Sequence, residues 1–149
     1  MLEQTLEQDI KSALLAGDSV KATTLRGLKA VLLNEKVAKG KRESGLSDDE
    51  VIAVFIKEAK RRQESADLFK QGGNDVKAEA ELKEKALIEA YLPPKLSDEE
   101  ITKLVDEVIS SENLSGIQNM GQVIAKVKAK AGPGADGSTV ARIAREKLT

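Results

Sequence analysis

The chain has 149 residues, 40% of them hydrophobic and 33% charged, with a formal net charge of −1. One Tyr and two Phe leave the core to Ala, Leu, Val and Ile, and exclude base stacking on an aromatic sheet platform. With no Cys and no His, disulfides, thiolate or imidazole metal sites, Cys nucleophiles and His acid–base catalysis are excluded as well.

Leu2, Leu6, Ile10, Ala13 and Leu14 recur at helical steps and predict a first helix ended by Gly17. Asp18 is placed to cap a second, whose apolar positions Val20, Leu25, Leu28, Val31, Leu32 and Leu33 run on toward Val37. The polar run GKRESG, from Gly40 to Gly45, breaks the pattern. Ser47 with Glu50 three residues later forms a capping box for a third helix from Asp48 to about Lys70. Gly72 and Gly73 end it, and Asn74 or Asp75 caps a fourth through Ala90, rich in Ala, Glu, Lys and Leu.

Pro93 and Pro94 interrupt the helical pattern, and a second capping box, Ser97 with Glu100, follows at once. A fifth helix is predicted from Glu99 to about Ser111, and a sixth carries Met120, Val123, Ile124 and Val127 on one face. AGPGADG is a break, and a last helix runs from about Ser138 to Leu148. No segment alternates with period two. The expected fold is all-α: a four-helix N-terminal domain over residues 1–92, a hinge at 93–96 and a smaller three-helix domain over 97–149.

Charge is segregated along the chain. From Val20 to Arg42, Lys21, Arg26, Lys29, Lys36, Lys39, Lys41 and Arg42 stand against Glu35 alone. Leu96 to Ala125 is acidic, and the stretch from Lys126 onward is basic. Two basic surfaces follow as candidates: Lys126, Lys128, Lys130, Arg142, Arg145 and Lys147 in the tail, and Lys57, Lys60 and Arg61 on one stripe of the third helix, with Arg62, Lys21, Arg26 and Lys29 nearby. Each has two readings at this stage. The cations neutralise phosphates and release counterions, or they solvate helix faces and pair with neighbouring acids. Gly134 to Gly137 (GADG) reads either as an anion-binding turn or as a turn in which Asp136 itself caps the last helix. The acidic runs at Asp48–Glu50 and Asp98–Glu100 fall in first helical turns, where carboxylates favour the helix dipole. No metal-ligating set, cofactor motif or catalytic residue is identified; the serines have neither a base partner nor an elbow sequence.

EAYLPPKLSDEEI (Glu89 to Ile101) resembles the hinge of the YqeY family, and MGQVIAKVKAKAGPGADGSTVARIAREKL (Met120 to Leu148) resembles its tail. Leu25 to Ala30 and Lys57 to Ser65 also match the family pattern, so the resemblance covers nearly the whole chain. One position departs: Gly134 stands where the family commonly carries Lys or Arg before Ala-Asp-Gly. The family shares its fold with the C-terminal tail of the GatB subunit of tRNA-dependent amidotransferase, a helical appendage reaching the tRNA while chemistry proceeds in other domains.

The resemblance implies a non-catalytic accessory module whose partners are tRNA and amidotransferase or aminoacyl-tRNA synthetase proteins. Carbon–nitrogen ligase activity with glutamine as donor is not expected of this chain without partner subunits. The alternative is a protein-interaction adaptor with no nucleic-acid role. No signal-peptide pattern follows Met1, and no apolar run nears the roughly 20 residues of a membrane span, so a cytoplasmic location without membrane association is expected.

Overall fold

The computed structural model describes residues 1–149, and its chain divides into two compact units, Met1–Leu92 and Pro93–Thr149. Seven α-helices and two short 3-10 turns account for the regular structure, with no strand, as the all-α expectation requires.

The first unit holds α1 (Leu2–Leu15), α2 (Ser19–Ala38), α3 (Asp48–Gln71) and α4 (Asp75–Glu89). Gly17, at a φ of +72°, makes the reversal after α1 that a residue with a Cβ resists, and the Asp18 carboxylate then caps α2 by accepting the Lys21 N–H. Ser47 and Glu50 form the full capping box at the start of α3, each side chain accepting the other's backbone N–H. Leu6 and Ile10 of α1, Leu25, Leu28 and Leu32 of α2, Val51, Val54, Phe55 and Ala59 of α3 and Ile88 of α4 make one core. Tyr91 meets Phe55 edge-on, with centroids 5.6 Å apart, and its hydroxyl donates to the Asp9 carboxylate. Burial first, and Asp9 second, push the Tyr91 phenol above its ordinary range.

Beyond that core α3 and α4 continue as a hairpin. Buried Ala66 and Ala78 let the two backbones approach closely. Arg62 of α3 pairs with Glu84 of α4 at 3.2 Å, and Lys85 donates to Gln63 at 2.8 Å. Glu58 is only 6% exposed and keeps its charge satisfied through Arg61, at 2.9 Å.

The second unit holds α5 (Asp98–Ser111), a turn over Ile117–Asn119, α6 (Met120–Ala131), a turn over Gly132–Gly134, and α7 (Gly137–Leu148). Its core is Ile101, Val105 and Val108 from α5, Val123 and Val127 from α6, and Val140, Ile143, Ala144 and Leu148 from α7. The segment read as a hinge is tied into this unit, because the Leu96 N–H donates to the Gly134 carbonyl at 2.8 Å. Glycine at 134 has a steric cause: a Cβ there would lie 2.8 Å from the Pro94 carbonyl oxygen. Gly134→Ala is therefore expected to lower the stability of this unit by about 1–3 kcal/mol, as overpacking of a tight contact does; thermal unfolding followed by circular dichroism checks it.

The sequence expectation that Val20, Leu33 and Val37 continue the inner face of α2 is corrected. They are exposed, because the side buried against α1, α3 and α4 is the one carrying Ala22, Leu25, Leu28 and Leu32. Leu14 at the end of α1 is likewise half out of the core.

A pH dependence follows from the α3 cap. Lys41, hydrogen-bonded at 2.6 Å, and then the Ser47 N–H hold the Glu50 carboxyl at about 2, against an ordinary 4.5. The folded state therefore favours the charged form. Its contribution is complete above about pH 4.5 and is lost as pH falls toward 2. Urea midpoints taken between pH 6 and pH 2.5 are expected to fall more steeply for the wild type than for Glu50→Gln.

Candidate nucleic-acid interface

The basic tail rests on α6 and α7, whose inner faces are fixed by Val123, Val127, Val140 and Ile143. That burial turns Lys128, Lys130, Arg142, Arg145 and Lys147 outward and leaves Lys126 partly covered. The structure separates these cations into two sets. Three are met by acids of α5 or its C-terminal end: Lys126 by Glu112 at 2.7 Å, Arg142 by Asp98 at 2.8 Å, and Lys147 by Asp106 at 3.2 Å. Arg142 also reaches Glu146, at 3.3 Å. Lys128, Lys130 and Arg145 make no ion pair.

The acidic and basic blocks of the sequence thus fold onto one another in part. All three cross-helix pairs are well exposed, so each contributes at most about 1 kcal/mol and is screened by salt. A phosphate can compete with such a carboxylate for the same cation. The unpaired cations need no such exchange.

The turn before α7 resolves toward the capping reading. Asp136 accepts the Thr139 N–H at 3.1 Å and the hydroxyls of Ser138 and Thr139. Those bonds, with Ser138 foremost, hold its carboxyl below the usual range. Its own negative charge occupies the position an incoming anion would take. The Lys128 ammonium lies against the start of α7, where a Cβ on Gly137 would meet it at 2.9 Å. Lys95, which carries no periodic signal in the sequence, adds a further positive charge felt by Asp136.

On α3, Lys57 and Lys60 are exposed and free of acids. Arg61, placed with them on one stripe by its spacing, is 72% exposed at its side chain but holds Glu58. Arg62 faces α4 and Lys29 pairs with Glu7 at 2.8 Å, so the second basic surface is thinner than its sequence suggests. The acidic first turns are occupied too: Glu50 and Glu100 close capping boxes, Asp48 accepts the Leu2 N–H, and Asp98 holds Arg142.

The model of the YqeY-like proteins matches residues 3–148, which is almost the whole chain. The chain belongs to the YqeY-like family. Relatives of this YqeY-like protein include the Altered inheritance of mitochondria protein 41 of three species. That of Eremothecium gossypii is 32% identical over 125 residues, covering 82% of this chain and 67% of the relative. The Clavispora lusitaniae protein is 33% identical over 67% of this chain and 58% of its own length. The Kluyveromyces lactis protein is 29% identical over 87% and 70% respectively. The match thus leaves between 30% and 42% of each relative's length uncovered.

These names correct the cytoplasmic expectation, since each of these relatives is named as a mitochondrial protein. The expectation rested on the lack of a leader pattern and of a long apolar run. No helix of this YqeY-like protein is long and apolar enough to cross a membrane, but that property carries no information on compartment.

Proposed function

We propose that this YqeY-like protein is a non-catalytic accessory module that binds tRNA through helix-face cations, in company with amidotransferase- or synthetase-type proteins. The observation that carries the reading is the set of tail cations left without acids, Lys128, Lys130 and Arg145, beside an acidic helix that engages the other three. Lys57 and Lys60 supply a second exposed pair in the first unit. The resemblance of Met120 to Leu148 to the tail of the YqeY family, which shares its fold with the tRNA-reaching tail of GatB, supports the choice of polyanion. Binding of this kind neutralises phosphates and reads shape, because the chain has no aromatic platform on which to stack bases.

The test is competition. Labelled tRNA bound to the full chain at moderate salt is expected to resist displacement by heparin at equal charge concentration. Heparin as effective as unlabelled tRNA removes the tRNA-specific part of the reading. Release of ammonia from glutamine by the purified chain alone would overturn its non-catalytic part.

A further inference from the structure

The outward side of α2 carries a stripe that no helix of the first unit covers. Arg26, Ala30, Leu33 and Val37 follow one another at steps of four, three and four, and so line up on one face. Leu33 is 47% and Val37 60% exposed, though both are large and apolar. Beside the stripe, toward α1, runs a groove of about 310 Å³ lined by Leu6, Ala30, Leu32 and Leu33 together with Arg26 and the ion pairs Glu3–Lys36 and Glu7–Lys29. A contiguous apolar ridge with a groove alongside has the shape into which another helix lays its own apolar face.

Charge indicates what that helix carries. Along α2 and the turn after it, Lys29, Lys36, Lys39 and Lys41 are engaged by Glu7, Glu3, Glu35 and Glu50. Arg26, inside the stripe, has no carboxylate within ion-pairing distance, so with Lys29 and Lys36 neutralised the face keeps one unpaired positive charge. A second copy of this face would bring the same surplus, and an RNA strand has no use for Leu33 and Val37. We infer that the α2 face is a docking site for an amphipathic helix of a partner protein whose apolar stripe is bordered by Asp and Glu. The site lies in the first unit and does not rest on the tRNA reading.

The probe is a synthetic helical peptide with Leu at positions i, i+3, i+4 and i+7, bordered by Glu, titrated into the ¹⁵N-labelled full chain. A peptide with the same Leu stripe bordered by Lys serves as control. The Glu peptide is expected to shift the amides of Ala30, Leu33 and Val37 and to bind at least about tenfold more tightly than the Lys peptide. Leu33→Ser and Arg26→Glu, both on exposed positions, are each expected to weaken it about tenfold while the remaining spectrum keeps its dispersion. Absence of shifts on α2, or equal binding of the two peptides, overturns the inference. So does a dimer of the free protein that Leu33→Ser dissolves, which assigns the face to a second copy. Shifts of these same amides by tRNA would assign it to nucleic acid instead.

Discussion

Reversing the three unpaired tail cations together, as Lys128→Glu, Lys130→Glu and Arg145→Glu, is expected to weaken tRNA binding on the order of 100-fold, from about fivefold for each lost exposed contact. Removal of the three acid-paired cations, Lys126, Arg142 and Lys147, as alanines is expected to cost much less. Each of those must first leave Glu112, Asp98 or Asp106 before it meets a phosphate. The converse follows from the same geometry. Asp98→Asn, Asp106→Asn and Glu112→Gln together free those three cations and are expected to raise tRNA affinity severalfold. Fluorescence anisotropy with labelled tRNA at one fixed ionic strength reads all three variants on one scale. The ordering unpaired, then paired, then enhanced by acid removal is the signature of the proposed surface.

Phe55→Ala is the substitution expected to cost most in stability, about 3–5 kcal/mol. The ring is fully buried where α3 meets the other helices of the first unit, and it supports Tyr91 edge-on. Deleting it opens a cavity under four helices and removes the surface that seats Tyr91. A loss of that size is a large fraction of the stability of a domain of this length. Urea unfolding followed on first-unit amide signals gives the number, and a loss under about 1 kcal/mol would show that the core is not built around this ring. The second unit has a core that shares no residue with the first, so the methyl signals of Ile101 and Ile143 are expected to persist.

Much of the fold was legible because its punctuation is local. Ser47 with Glu50 and Ser97 with Glu100 lie three residues apart, and both form the boxes their spacing predicts. Gly17 and Asp18 mark a helix end and the next helix start at adjacent positions. What was not legible depends on contacts far apart in sequence. Arg142 meets Asp98 across 44 residues and Lys147 meets Asp106 across 41, so no stepwise pattern on α7 tells these cations from Arg145. Glu58 reads as one more surface charge on a densely charged helix, and only the packing of the first unit buries it.

Leu33 and Val37 mislead in the opposite direction. An apolar residue beside a buried leucine suggests a core face, yet α2 has apolar residues on two sides and the fold uses one. Gly134 was readable as part of a helix break and turn, and as a missing cation. Its close approach to the Pro94 carbonyl, and its bond to Leu96, give it a structural task instead.

The most direct measurement is the dependence of tRNA binding on salt, taken in parallel on the wild type and on the triple reversal of Lys128, Lys130 and Arg145. Plotted as log K against log salt concentration, the wild-type line is expected to be steep, and the slope of the variant to be smaller by about three. Equal slopes for the two proteins would contradict the assignment, because phosphates would then be meeting other side chains or none.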